Sequence, residues 1–566
     1  MTLVSALAAG TDSIAADVAL GLKYALDAPL PFTRADYELD FDSTPGSGID
    51  ATKSERDQFR ALFAQARAVL ELPGQRRSPP VKPGEDDPEA NRAYEAAGLT
   101  VLSQADVLLA VWDRAPSRGR GGTAEMIGEA ARAGIPIVLV DAYGMRPIEV
   151  LWRNLADVPA PIVAINDLPT EPLETCVQKV INELVRMPAA MQECKGFERW
   201  FRERQHCLNP RLGYPVLTTF MLVRRINCAD IAPKRPRGLA KEFIRAAGPV
   251  VQDADGGQIA LIAEAYGWAD AIGIWCAQIF RGAFLMNFMF AAAAVVVASV
   301  GVLFSEHGSP FADGGIAAKL LTRQNLIGAE IVLIAFVVLN TSLGRRWRWQ
   351  HRWVEAREIA ERLRAALPLW ALGLRPAFFP GEEPSWTGWY TRAIVRMQGM
   401  RSGVLNPAGI ADARVLLLAL LTSQCNYNFK NSERMEKLER RLERIGLALF
   451  VATAAIAIDH FNNSQIMHCL IGSRPLADEL EIWLSAALPS LATATYGVRV
   501  IGDFEGAKRR SEHTYLTLDR LTQALNADHI NLATLRARAR SAADVLLGDV
   551  ASWRLAAESR GLAIPG

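Results

Sequence analysis

No cysteine pair in the chain has metal or redox spacing. The seven cysteines, Cys176, Cys194, Cys207, Cys228, Cys276, Cys425 and Cys469, are scattered through 566 residues without a C-x-x-C, so neither a zinc site nor a disulfide framework is indicated. They fit a reducing cytosol. His206 beside Cys207 has no matching second pair and reads as structural, and no metal is expected. There is no G-x-S-x-G, no H-E-x-x-H and no Walker A lysine, which removes support for hydrolase, zincin and ATPase readings. Net charge is nearly absent as well: +1 over the whole chain argues against a dedicated nucleic-acid binder. The opening MTLVSALAAG lacks a basic n-region and is soon broken by Asp12 and Asp17, so it does not read as a signal peptide.

What the chain does have is a hairpin of apolar sequence. From Gly282 to Phe304 there is no charge, and Asn287 is the one strongly polar residue. That run is long enough to cross a hydrocarbon core of about 30 Å. Its large apolar residues favour insertion by about 3 to 7 kcal/mol. A second run from Leu326 to Leu343 carries Glu330 near one end, where a charge costs less than at the bilayer centre. Asn287 and Glu330 are expected to face a pore or to make a helix contact, with interfacial snorkelling as the alternative for both. Arg281 precedes the hairpin and Arg345, Arg346, Arg348, Arg352 and Arg357 follow it, against only Lys319 and Arg323 in the loop. The positive-inside rule then places both flanks, and both termini, on the cytoplasmic side of a multi-pass membrane protein.

The first 190 residues alternate short apolar runs with helical patterns, such as ADVLLAVWD, TAEMIGEAARAG and IPIVLVD. This predicts an α/β unit built on a parallel sheet with helices on both faces. Ligands of such sheets bind beyond the carboxyl ends of the strands. Two loops stand there: Ala9 to Asp12 after the first strand, and DRAPSRGRGGT, Asp113 to Thr123, after the strand ending at Trp112. Gly119, Gly121 and Gly122 permit close backbone approach, and Thr123 opens a helix whose free N–H groups would face an anion. The expected ligand-binding residues are Gly10, Thr11, Asp12, Asp113, Gly119, Gly121, Gly122, Thr123 and Glu125. An unoccupied glycine-rich turn is the alternative reading.

The blocks SALAAGTDSIAADVAL, LPFTRADYELDF, AYEAAGLTVLSQADVLLAVWD and GRGGTAEMIGEA resemble the N-terminal Rossmann-type domain of bacterial membrane proteins in the SLOG superfamily. That superfamily is similar to the LOG phosphoribohydrolases, DNA-processing protein A and the sensor domains of melastatin channels. The resemblance implies a nucleotide or ADP-ribose-like ligand and no resident cofactor. Two departures stand out. The LOG enzymes carry PGGxGTxxE, whereas GGTAE here sets Glu125 one residue nearer the threonine with no preceding proline. Relatives also begin with one more strand upstream of SALAAG, so either the start lies further upstream or one wall of the pocket is missing.

Beyond residue 190 the composition turns helical. Residues 191–262 read as a connector, and 263–370 as a two-span unit with spans at 282–304 and 326–343. Trp349, Trp353, Ala356, Ala360, Leu363 and Leu367 recur at heptad spacing after it. WAD, the arginine before the hairpin and WVEAREIAERLR after it resemble SLATT two-span domains, which occur beside nucleotide-signal systems. Residues 371–444 are expected to be cytoplasmic helices, and 445–503 a second, weaker hairpin with spans at 445–460 and 482–500, approached by a helix with Gln424 and Tyr427. Residues 504–566 read as a cytoplasmic helical bundle.

The expected fold is thus a Rossmann-like parallel sheet followed by an all-α multi-span membrane region. The expected function is a nucleotide-sensing effector that alters membrane permeability, in the manner proposed for SLOG and SLATT combinations in phage defence. Its partners would be the lipid bilayer, a nucleotide-type small molecule and further copies of the chain. A competing reading makes it a membrane-tethered nucleotide N-glycosidase in which Glu125 or Asp113 attacks or assists. A third makes it a scaffold with an inactive Rossmann fold.

Overall fold

The computed structural model describes residues 1–48, 50, 52–77, 87–115, 120–152, 168–250, 257–306, 322–376, 385–462, 464–558 and 562. Strands and helices alternate at first: β1 (Thr2–Val4), α1 (Thr11–Gly21), β2 (Ala25–Leu30), α2 (Arg34–Tyr37), α3 (Glu55–Gln65), β3 (Ala68–Glu71), α4 (Pro88–Gln104), β4 (Leu108–Trp112), α5 (Thr123–Arg132), β5 (Ile137–Asp141), β6 (Glu149–Leu151), β7 (Thr170–Pro172) and α6 (Leu173–Val185). Local chemistry sets several of these starts. Ser54 accepts from the Asp57 N–H to cap α3, and Asp87 accepts from Glu89 and Ala90 to cap α4, which has proline at its first position.

The expected parallel sheet is present at the N-terminus, but it is not a single sheet. Among the described residues β1, β2 and β3 pair in parallel, while β4 and β5 form a second sheet with β6 and β7 antiparallel. The short link from β5 to β6 explains the reversal, because a parallel return needs a crossover of a dozen or more residues. α4 serves both sheets. Its Ala90 and Ala93 enter the core under β2 with Leu26, Phe32 and Phe59, and its Leu102 enters the core under β5 with Ile127 and Ile137.

The first sheet takes its fourth strand from far along the chain. Gly403 and Val404, as β8, pair in parallel with Leu70 and Glu71 of β3. The α/β unit of residues 1–190 is therefore completed by a strand from the region 371–444.

The helical body contains α7 (Met191–Phe201), α8 (Gly213–Phe220), α9 (Cys228–Ile231), α10 (Pro236–Ala247), α11 (Ala260–Glu306), α12 (Arg323–Arg346), α13 (Trp349–Ala371), α14 (Trp386–Gln398), α15 (Pro407–Phe461), α16 (Gln465–Ile471), α17 (Arg474–Gly502), α18 (Phe504–Ala527) and α19 (Leu532–Glu558). The heptad stripe of α13 packs on α11. Ala356, Ile359, Ala360 and Leu363 are fully buried against Ile262, Ala269 and Cys276. A charged lattice crosses the same seam: Arg357 meets Asp270 at 3.5 Å and Glu361 at 2.6 Å, and Arg364 holds Glu361 and the Tyr266 hydroxyl.

Among the described residues two helical stretches are long and apolar enough to cross a membrane, Gly257–Val300 and Arg323–Arg346; they hold the run expected at 282–304 as far as Val300 and the run expected at 326–343. Of the second expected pair, 445–460 lies at the end of α15, which meets the same standard only together with α16 across a 95° bend. The run 482–500 lies in α17, which is not among them. Large apolar side chains still face outward on α12 and on the last turns of α15: Ile331, Val332, Leu339, Phe450, Val451 and Ile458 are all exposed. Helix α17 docks on α11 through Gly497, where a Cβ would meet the Phe288 ring. Small residues allow such close approach.

Candidate functional site

The first loop closes on itself around Asp12. Leu7 and Gly10 both adopt positive φ, and the turn carries the chain from β1 into α1. The Ser5 hydroxyl donates to the Asp12 carboxylate at 2.9 Å and accepts the Leu7 N–H at 3.1 Å. Burial raises the Asp12 carboxyl above its ordinary value, against the Ser5 hydroxyl and the Ala8 and Ala6 backbone, which favour the ionised form. Thr11 is exposed at the first turn of α1.

Beside this loop lies a cluster that sequence reasoning missed. Tyr37 is buried, and its phenol is pushed up first by burial and then by the charge of Asp12. Asp40 accepts from the Tyr94 hydroxyl at 2.6 Å and pairs with Arg76 at 2.5 Å, while the Arg76 guanidinium covers the Phe32 ring. These residues come from the segment after β2, from the segment after β3 and from α4. The LPFTRADYELDF block held three of the five, Phe32, Tyr37 and Asp40.

The second loop follows β4 as expected, and Gly122 caps α5 in an extended conformation without a side-chain hydrogen bond. Gly121 has φ +79°, and a Cβ there would stand 2.7 Å from the Glu95 nitrogen. Only glycine fits that approach to α4. The N–H of Gly121, expected to face an anion, instead donates to the Glu125 carboxylate at 2.8 Å. Asp113 accepts the Ala115 N–H at 2.9 Å, closing a turn of its own. Two of the carboxylates expected to receive a ligand are thus bonded to the loop's own backbone. Thr123 is exposed and begins α5; Gly119 lies outside the described residues.

The two apolar helices carry their polar residues on the facing side. Asn287 is fully buried; its amide donates to the Thr341 hydroxyl at 2.8 Å, and it accepts from Asn340 at 2.6 Å. Asn340 also donates to the Ala283 carbonyl at 3.0 Å and accepts from Arg211 at 2.5 Å. Asn287 is accordingly a helix–helix contact. Glu330 is half-buried near the start of α12, apart from this network. His206 stacks on the Trp275 ring with centroids 3.5 Å apart.

A cavity of about 720 Å³ opens where α11 passes into its apolar stretch. Helices α8, α11, α13, α15, α18 and α19 wall it, and Arg281, Trp353, Tyr427, Asn431, Arg510 and Asp549 line it. Arg281 lies between the rings of Tyr214 and Trp353, 5.2 and 5.1 Å from their centroids. Gln424 and Tyr427, noted in the sequence only as part of the helix that approaches the second hairpin, also line it. The other walls come from distant segments that share no motif.

The chain matches no protein-family model, no curated protein and no solved structure.

Proposed function

We propose that the protein is a membrane-integral sensor in which a nucleotide-type ligand at the α/β unit changes the packing of the apolar helices, and with it the permeability of the bilayer. The observation that carries this reading is the path from β3 through β8 to α15. Strand β8 is hydrogen-bonded to the first sheet, and two residues later Asn406 caps a helix of 55 residues. That helix runs about 80 Å at 1.5 Å per residue. A shift of the sheet is passed to the apolar helices without an intervening flexible joint.

The cavity under the hairpin is the space into which those helices would repack. A ligand drives such a change only through its preference for one arrangement, and a few kcal/mol of difference is enough. The cytoplasmic placement of the α/β unit, self-association and a role in phage defence belong to the same proposal. The N-glycosidase reading has weaker support, because Glu125 and Asp113 are both turned onto backbone N–H groups.

The test is dye release from liposomes carrying the full-length protein, with ADP-ribose, NAD and nucleoside monophosphates supplied in turn. Gly122→Asp is the control, because an aspartate at that extended position caps α5 and repels an anion without straining the backbone. Ligand-dependent release that the substitution abolishes is expected. Equal release from both proteins, or none with any ligand, overturns the proposal.

A further inference from the structure

The corner between α15 and α17 holds a buried carboxylate, one of whose oxygens meets no hydrogen-bond donor among the described residues. Helix α15 ends at Phe461, and the chain reverses through Ser464 and α16 into α17. Asp459 organises the reversal by accepting the N–H groups of Ile466 and Met467 at 3.0 and 2.9 Å. Glu481, about two turns into α17, points back into the corner and is 1% exposed. Its Oε2 accepts from the Ser464 hydroxyl at 2.6 Å and lies 3.0 Å from His460 Nδ1. Its Oε1 is buried and meets no N–H or hydroxyl donor among the described residues, its polar neighbour being the Asp459 carboxyl. A buried carboxylate oxygen left unpaired is costly, and a cation is one of the few things that relieves it.

Two further donors converge on that oxygen pair. One ligand atom each from His460, Asp478 and Glu481 falls within 4.8 Å of the others. Asp478 and Glu481 are three apart on one helical face, and His460 approaches from the last turn of α15. His460 and Asp478 are exposed, so solvent reaches the open side.

We propose that His460, Asp478 and Glu481 form a site for a divalent transition-metal ion of the zinc class, which ties the end of α15 to the start of α17. One imidazole with two carboxylates suits zinc, whose protein ligands lie at about 2.0–2.2 Å, so the three donors close slightly on the ion and leave a position for water. The two carboxylates neutralise the ion's charge. Calcium would need six or more oxygens, and magnesium does not favour imidazole. The usual sequence signals miss such a site, because His460 stands alone and its partners lie on the next long helix. The inference does not depend on nucleotide binding at the α/β unit.

The test uses the full-length protein in detergent, stripped with a chelator and titrated with zinc chloride by calorimetry and by thermal melting. One equivalent of zinc is expected to bind and raise the melting temperature, whereas millimolar magnesium leaves it unchanged. Asp478→Asn replaces an exposed side chain without touching the contacts of Glu481, while His460→Ala also removes the 3.0 Å contact to Glu481, so the two variants are read together. Each is expected to weaken zinc binding by more than the roughly 10- to 100-fold that loss of an outer-layer partner costs. Zinc bound equally tightly by both variants would mean that it sits at other cysteines or histidines, and would overturn the proposal. Absence of any zinc-dependent shift in the unaltered protein overturns it as well.

Discussion

Arg536 donates to the hydroxyl of Thr100 at 2.8 Å across 436 positions of the chain. The same guanidinium donates to the Leu372 and Ala96 carbonyls, so one buried side chain of α19 joins α4 of the α/β unit to the end of α13. Replacing it with methionine keeps the volume and removes the bonds. Arg536→Met is expected to cost about 1–3 kcal/mol, read as a lower thermal midpoint and faster amide exchange in α4. Exchange in α4 that stays at the wild-type rate would show that the seam is held by other contacts, such as Gln104 to the Gly373 carbonyl.

Glu125 competes with any anion for the Gly121 N–H. Glu125→Gln weakens that internal bond and removes its charge. Binding of ADP-ribose is expected to tighten about fivefold, equivalent to ~1 kcal/mol, when measured by calorimetry. Weaker binding would instead place Glu125 on the ligand's hydroxyls.

The Glu361 carboxyl makes the helical body acid-sensitive. Burial pushes it up, but Arg357 and then Arg364 outweigh burial and hold it below its ordinary 4.5. The unfolded chain therefore takes up this proton before the folded one does. The contribution is full above the ordinary value and is lost as pH falls through the folded value. Thermal midpoints are expected to drop between about pH 5 and pH 3, and Glu361→Gln is expected to flatten that fall while costing about 3 kcal/mol at neutral pH, because Arg364 keeps only the Tyr266 hydroxyl and Arg357 only the longer contact to Asp270. A variant as acid-sensitive as the wild type would assign the effect to other carboxyls.

Asn340 links Ala283, Asn287 and Arg211 between the apolar helices. In detergent, Asn340→Leu is expected to cost about 0.6–1.7 kcal/mol, the range for such bonds between apolar helices. A reversible denaturation series measures it. A gain in stability would mean that the network serves specificity rather than cohesion.

The apolar hairpin, the heptad stripe of α13 and the turn from β4 into α5 were legible because each is written in consecutive residues. Run length, a seven-residue period and a glycine cluster before a helix are local signals. The turnings of Glu125 and Asp113 onto their own backbone were not legible, since the same residues fit a ligand equally well. Nor was the reversal to a mixed second sheet, which depends on how few residues separate β5 from β6. The cavity and the corner at Glu481 escaped for a different reason: their residues meet only after long helices have packed. Strand β8 is the extreme case. Two residues carry no periodicity, and nothing near Gly403 names Leu70 as its neighbour.

That pairing also sets an order of events on the ribosome. Leu70 and Glu71 emerge early, but the strand that covers them is made about 330 residues later, after on the order of 20 to 60 seconds of synthesis. Throughout that interval the nascent sheet has a bare edge able to recruit foreign strands, while the greasy segments are already leaving the exit tunnel. Truncation before residue 403 would leave that edge permanently uncovered and yield a sheet prone to aggregate.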